Sequence, residues 1–196
     1  EKGKEINTTC APCHGRQGQG TADGVYPRLA GQDERYLARQ IAHFKSRDRL
    51  NIPMLPYATE RELPDDDVRT ITAYLAGIRL QTKMSPDSES TTDALALLKQ
   101  SKASLNIPLF PGDAGSGERL YKKECAACHG RDGYGSSHHG APQLAGQHSL
   151  YLKRQIEDFR KGARRHADPA DFEIFKSFTD DEIAGILSYV STLDDG

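Results

Sequence analysis

Four cysteines arranged in two pairs are the residues of this sequence best suited to carry chemistry. The two motifs are Cys10-Ala-Pro-Cys13-His14 and Cys125-Ala-Ala-Cys128-His129. Redox dithiols, a zinc site or disulfides could each use such pairs. However, a redox dithiol does not require the following histidine, and zinc sites usually space their histidines apart. The C-x-x-C-H pattern is typical of covalent haem attachment, in which two thiols bond the porphyrin and the histidine binds the iron.

The surroundings of the two motifs repeat at an offset of 115 residues, without a gap, from Cys10 to the end of the chain. "PRLAGQ" at 27–32 matches "PQLAGQ" at 142–147, and "YLARQIAHF" at 36–44 matches "YLKRQIEDF" at 151–159. A repeated unit with one motif in each copy predicts two structural domains that each hold one haem c.

Helical patterns account for most of each copy. Residues 2–13 and 117–128 read as opening helices that run into the motifs. In 36–44 the residues shared by both copies fall at i, i+1, i+4, i+5 and i+8, which is one face of a helix: Tyr36, Leu37, Gln40, Ile41 and Phe44. Thr179 and Glu182 form a capping box at the start of the last helix. The predicted fold class is all-α, with domains at 1–80 and 116–196.

Residues 81–115 form a predicted connector between the copies. It begins with the polar run "SPDSES", which we expect to be loose, and contains a pattern for a short helix in "TTDALALLKQSKAS". We expect this connector to pack against a domain as well as to link the two.

Bulk composition excludes several classes of function. The chain has 196 residues, 36% hydrophobic residues and a formal charge of −2, so no global field favours nucleic acid or a membrane surface. No apolar run is long enough to span a bilayer. The first motif lies close to Glu1, as it would after removal of an export signal.

The two copies resemble class I c-type cytochromes, and "LAGQ" with "YL-x-RQI-x-x-F" in each copy is similar to the dihaem cytochrome c4 family. The resemblance covers almost all of the chain except 81–115. It implies two small helical domains, each around one covalent haem, in a soluble periplasmic electron carrier or a subunit of a larger redox enzyme.

In that family a methionine on the loop before the last helix supplies the second axial ligand. Met54, in the loop "IPMLP", holds the matching place, and we expect it to bind the first iron opposite His14. A thioether favours Fe(II) and raises the reduction potential relative to a second imidazole.

The second copy has Pro169 where the first has Met54, and no methionine follows residue 84. Candidates for the distal ligand of the second iron are His166, Asp168 and Lys176, and the iron could also be left open. A neutral imidazole is a better iron donor than a carboxylate or a protonated lysine, so we expect His129 and His166 to bind the second iron. His138 and His139 are weaker candidates.

Two arginines hold equivalent places just after the middle helix of each copy. Arg49 and Arg164 match at the 115-residue offset, and a guanidinium suits a haem propionate because it can bind a carboxylate in two places. The resemblance favours propionate contact for this pair. For Arg39 and Arg154 a solvated helix face is a sufficient explanation.

These features predict a periplasmic protein that is not itself an enzyme and passes single electrons between redox protein donors and acceptors. We expect a His–Met haem in domain 1, a lower-potential bis-His haem in domain 2, and docking to a membrane oxidase or a periplasmic dehydrogenase. The alternative is an open iron in domain 2 that acts as a haem enzyme or as a sensor of gas or peroxide.

Overall fold

The fold was determined as a computed structural model, which describes residues 1–80, 93–103, 105–166 and 171–193. Within these ranges the secondary structure is helical, with only an isolated bridge between Ser136 and Ala141. The prediction of an all-α fold is therefore confirmed. None of the described helices is both long enough and apolar enough to cross a bilayer.

Helices occur at matching places in the two copies. The first unit contains α1 (Lys2–His14), α2 (Glu34–Ser46), a short 3-10 helix (Ile52–Met54) and α3 (Asp65–Ala76). Helix α4 (Ala94–Ala103) lies in the predicted connector. The second unit contains α5 (Ala114–Glu124), α6 (Ala126–His129), α7 (Ser149–Arg160), α8 (Asp171–Ser177) and α9 (Asp180–Val190). The predicted opening helix 117–128 is thus divided at Cys125, whereas α1 runs unbroken to His14.

The first and last helices of each unit cross at glycine. A Cβ on Gly117 of α5 would lie 1.8 Å from the carbonyl oxygen of Gly185 of α9, so only glycine permits this approach. Around the crossing, Tyr121, Ile186 and Leu187 are buried. The first unit packs α1 on α3 in the same way, over a core of buried residues made of Leu37, Ile71 and Leu75.

Helix α9 begins with the predicted capping box. The Glu182 backbone N–H donates to Thr179 Oγ1 at 3.2 Å, and the Thr179 N–H donates to the Glu182 carboxylate at 2.8 Å. This pair satisfies two backbone donors that a helix start leaves without partners. The prediction from the sequence is confirmed, and the cap fixes the place where the chain turns from α8 into α9.

The chain segment after α4 contacts both units. Leu105 is buried against Ala30 and Leu80 of the first unit. Phe110 packs on the core of the second unit, and its N–H donates to Ser191 Oγ at 3.0 Å. The connector therefore packs as well as links, as its sequence predicts. The run "SPDSES" lies outside the described residues.

The glutamines of the two "LAGQ" motifs bind the opposite unit in a reciprocal pattern. Gln147 accepts from the Arg28 N–H at 2.9 Å and donates to the Arg28 carbonyl at 2.9 Å. Gln32 likewise accepts from the Gln143 N–H at 2.9 Å and donates to its carbonyl at 3.1 Å. Residues 28 and 143, and 32 and 147, are equivalent in the repeat, so the units face each other with approximate two-fold symmetry.

His148 breaks this symmetry at the interface. Its Nε2–H donates to the Gln19 carbonyl of the first unit at 2.8 Å, while its Nδ1 is buried and has no hydrogen-bond partner. Burial lowers the pKa of His148, and the charge of Arg28 lowers it further, although the bond to Gln19 opposes this. Protonation of Nδ1 would place a cation without a partner inside the interface.

We predict that replacing Gly117 with Ala destabilises the second unit by about 1–3 kcal/mol, because the new methyl group overlaps the α9 backbone. Gly115→Ala is the matched control, since its Cβ would meet only Asp113 Oδ1 at 3.4 Å. Urea unfolding of both variants measures the effect. Equal stability of the two variants would contradict the close crossing.

We also predict a pH dependence that belongs to His148. Because its folded pKa is depressed, the unfolded chain binds more protons just below the ordinary value of about 6.5, so stability is lost as the pH falls from about 7.5 to about 5.5. His148→Asn, which stays neutral, should flatten this part of the curve, and His138→Asn should not. Urea unfolding at several pH values tests this; an unchanged slope in His148→Asn would count against it.

Candidate haem sites

The histidine of each C-x-x-C-H motif is held in one tautomer. His14 Nδ1 lies 3.1 Å from the Pro27 carbonyl, and His129 Nδ1 lies 2.9 Å from the Pro142 carbonyl. Because a carbonyl only accepts, Nδ1 carries the proton and Nε2 keeps its lone pair for a metal. Both rings are buried, and burial lowers the pKa of His14, which favours its neutral form.

The four cysteines form no disulfide. Cys128 is exposed, and Cys10, Cys13 and Cys125 are half-buried. Burial, with a smaller effect of Cys13, raises the pKa of the Cys10 thiol, whereas redox-active dithiols depend on a lowered pKa. The raised pKa of Cys10 speaks against dithiol exchange at the first motif, and thioether attachment at both motifs stays a prediction.

Glycines in the loop after each motif bring the backbone back over the histidine. The Gly20 N–H donates to the His14 carbonyl at 2.8 Å, and the Gly135 N–H donates to the His129 carbonyl at 2.8 Å. Both glycines have positive φ, and a Cβ on Gly20 would lie 2.6 Å from the Arg28 nitrogen. The loops can therefore turn tightly enough to carry the Pro27 and Pro142 carbonyls to the imidazoles.

Met54 ends the 3-10 helix Ile52–Met54 in the loop after α2, and its side chain is half-buried. Its N–H donates to the Asn51 carbonyl at 3.0 Å, and its own carbonyl accepts from Ala58 at 2.9 Å. The loop is therefore tightly wound around Met54, and binding of its thioether to the first iron stays a prediction.

In the second unit the structure brings His166 to His129. Their ring centroids are 6.1 Å apart with an angle of 53° between the ring planes. Two imidazoles on opposite sides of one metal ion, at metal–nitrogen distances of about 2 Å, have ring centres roughly 6 Å apart. His166 also contacts Phe159 and Phe175, at centroid distances of 5.1 and 5.3 Å.

The other candidates for the distal ligand of the second iron contact other side chains or lie outside the described residues. Lys176 Nζ lies 4.0 Å from the Phe172 ring centroid and 3.9 Å from the Glu173 carboxylate. His138 and His139 are exposed and contact each other at a centroid distance of 4.9 Å. Asp168 is not among the described residues.

Arg49 and Arg164 meet at the centre of the interface between the units. Arg49 donates to its own Gln40 at 2.8 Å and across the interface to Tyr151 at 3.0 Å and Gln155 at 2.7 Å. Arg164 repeats the pattern with Gln155 at 2.7 Å, Tyr36 at 2.8 Å and Gln40 at 3.1 Å. Hence two guanidinium groups share two amides, and their hydrogen-bond partners named here are all uncharged.

This centre carries a positive potential that suits carboxylates. Burial would raise the pKa of Tyr151, but the charges of Arg49 and Arg164 lower it. Burial opposes the charge of Arg164, but Tyr36 and Tyr151 raise its pKa above the ordinary value. Buried charges need counter-charges, and haem propionates would supply them here. The chemistry of this centre fits carboxylates, and contact of Arg49 and Arg164 with haem propionates stays a prediction.

Sequence reasoning missed several residues that cross the interface. It placed Tyr36, Gln40 and their equivalents on a helix face without a role in joining the units, and it noted "LAGQ" only as a repeat. It also treated Arg39 as solvated, whereas Arg39 donates to the Gly140 carbonyl and its equivalent Arg154 donates to the Val25 carbonyl. The signal available was the identity of polar residues at equivalent positions of the two copies.

Comparison with known proteins agrees with this arrangement. The sequence profile of the cytochrome c family matches residues 1–79 and 114–194. The chain is 31% identical to cytochrome c4 of Pseudomonas aeruginosa, over 97% of this chain and 87% of that protein. It is 34% identical to a thiosulfate dehydrogenase electron acceptor of Stutzerimonas stutzeri, over 94% of this chain and 78% of that protein.

Solved structures include a similar fold. The chain superimposes on reduced recombinant cytochrome c4 from Pseudomonas stutzeri with a TM-score of 0.72 and 25% sequence identity. The match covers 97% of this chain and 96% of that one. Both units and their mutual arrangement enter this comparison, so the likeness extends to the tandem architecture.

We predict that Cys125→Ser with Cys128→Ser removes one of two covalent haems, because each motif attaches its own porphyrin. The mass of the mature protein should fall by one haem, and the Soret absorbance should fall by about half. Cys10→Ser with Cys13→Ser is the matched control for the other unit. Retention of two covalent haems in either variant would contradict the assignment.

Proposed function

Because this chain belongs to the cytochrome c family, in its cytochrome c4-like group with two covalently bound haem c groups, we propose that it transfers single electrons through two haems of unequal potential. The proposal assigns one haem to residues 1–80 and the other to residues 116–196. When bound, each haem supplies one-electron chemistry, and the protein sets its potential through axial ligands, burial and hydrogen bonds.

The distance between His129 and His166 carries this proposal. The 6.1 Å between centroids matches the spacing expected of two imidazoles that bind one iron, and the Nδ1 bond of His129 leaves its Nε2 for the metal. In the other unit His14 presents Nε2 and Met54 supplies a thioether. This ligation leaves no vacant position for a substrate, which argues against an open iron in the second unit.

Because the proposed distal ligands of the two haems differ, they predict the direction of electron transfer. A thioether favours Fe(II), whereas a second imidazole is a stronger donor and stabilises Fe(III). The haem of residues 116–196 therefore has the lower potential, and electrons pass from it to the haem of residues 1–80. Arg49 and Arg164, which meet at the interface, would hold the haem propionates there when the haems are bound.

Access for redox partners lies at the cysteine motifs. Cys128 is exposed and Cys13 is half-buried, and their neighbours Ala127 and Pro12 are exposed. A porphyrin edge tied to these residues lies close to the surface of its unit. Donor and acceptor proteins can then approach the two units separately.

The setting we propose is the periplasm or an equivalent compartment, because haem c is attached to its cysteines after export. The partners are redox proteins. The name of the Stutzerimonas stutzeri relative, a thiosulfate dehydrogenase electron acceptor, supports a dehydrogenase as donor, with a membrane oxidase as a further candidate for docking. The protein is a carrier or a subunit of such an enzyme rather than an enzyme itself.

Redox titration of the mature protein, with His166→Ala beside it, tests the proposal. We expect two one-electron steps in the unchanged protein, separated by on the order of 0.1 V within the span of about 0.8 V that axial ligands cover. In His166→Ala the ferric haem of the second unit should become high-spin, because one strong donor is lost, and the reduced protein should bind carbon monoxide quickly.

His138→Ala is the matched control, since it removes an exposed histidine from the same unit and should leave both steps and the spin state unchanged. Two identical high potentials in the unchanged protein would overturn the directional scheme. A low-spin second haem in His166→Ala would overturn the assignment of His166 as ligand.

A further inference from the structure

Two phenylalanine rings contact the His166 imidazole. Phe159 of α7 and Phe175 of α8 stack on each other, with centroids 4.9 Å apart and 23° between the ring planes. His166 meets Phe159 at 5.1 Å and 82°, and Phe175 at 5.3 Å and 61°. These are edge-on geometries that aromatic pairs favour. The imidazole is therefore packed against an aromatic pair as well as placed opposite His129.

The first unit lacks half of this pair. Phe159 has an equivalent in Phe44, and both carry an arginine over the ring, Arg164 at 4.8 Å and Arg49 at 4.7 Å. The position equivalent to Phe175 is Glu60, which binds Lys45 at 2.6 Å in a segment of turns. Phe159 thus belongs to the common framework, whereas Phe175 and helix α8 occur where the distal residue is histidine.

A histidine ligand requires an orienting contact that a methionine does not. The imidazole is planar, and rotation about its bond to Cβ changes which iron orbitals it meets. That torsion has a broad energy profile with no sharp preferred values, so the surrounding packing must fix it. Turning the His166 ring would carry its edge into Phe175 or away from the stacked pair.

We propose that Phe175 is a positioning residue for His166, which fixes the plane of the distal imidazole relative to that of His129 and keeps the ligand in place. This inference rests on the proposed ligation by His166. In this proposal Phe175 maintains the 53° angle between the ring planes of His129 and His166. Its counterpart Glu60 has no such part in the first unit, where the proposed ligand is Met54.

Electron paramagnetic resonance of the ferric mature protein tests the proposal, because the g values of a low-spin haem with two imidazoles report the angle between the ligand planes. Phe175→Leu keeps apolar volume and removes the flat ring, so the largest g value of the second haem should shift. Phe175→Tyr keeps the ring and should restore the signal. The signal of the His–Met haem should stay fixed in both variants.

Ligand retention provides a second readout. Loss of one aromatic contact should weaken His166 ligation roughly 2- to 10-fold, and carbon monoxide should bind the reduced Phe175→Leu protein faster by the same factor. Phe172→Ala is the matched control. It removes a phenylalanine of the same helix, whose ring meets Lys176, and should change neither readout.

The outcomes separate this inference from the proposed function. An unchanged g value and an unchanged binding rate in Phe175→Leu would overturn the role of Phe175 and leave bis-His ligation intact. Equal shifts in Phe172→Ala and Phe175→Leu would also overturn it, because α8 would then act only through its overall stability. If His166→Ala keeps the wild-type signal, the proposed ligation itself fails.

Discussion

One hydrogen bond in each unit, from the motif histidine to a proline carbonyl thirteen residues later, links the haem-binding motif to the rest of the structure. The bonds of His14 to Pro27 and of His129 to Pro142 fix the imidazole tautomer. The residue after each proline, Arg28 or Gln143, is hydrogen-bonded to the opposite unit. The carbonyl that holds each motif histidine is therefore one residue away from a contact that joins the units.

Departures from symmetry lie mainly on the distal side. The proximal bonds, the "LAGQ" contacts and the shared arginine centre repeat in both units with nearly the same distances. The distal segment differs, with Met54 in a 3-10 helix in one unit and with His166 beside helix α8 in the other. The chemical difference that we propose between the haems lies in their distal ligands, and at the interface His148 also differs from its equivalent, Asp33. This division suits the proposed function, in which the two centres lie close together and differ in potential.

Most of the fold and the two C-x-x-C-H motifs could be predicted from the sequence because they depend on local signals. Helix periodicity, the capping box of Thr179 and the C-x-x-C-H spacing are each set within a few residues, and a repeat of 115 residues duplicates them. The roles of Gln32, Gln155 and Tyr151 could not be read in the same way, because a polar residue on a helix face is equally consistent with solvent. Their partners come from the other unit, more than 100 residues away, and only the three-dimensional arrangement of the copies identifies them. Phe175 was missed for a related reason: its significance depends on a histidine nine residues earlier that no fixed motif specifies.

Near-infrared magnetic circular dichroism of the fully oxidised protein tests the unequal ligation most directly, because bis-imidazole and imidazole–thioether haems have charge-transfer bands at different energies. Unequal ligation predicts two bands of comparable intensity, one from each ligand pair. Two thioether-type bands with none of the bis-imidazole type, or a high-spin signal for half of the iron, would contradict it.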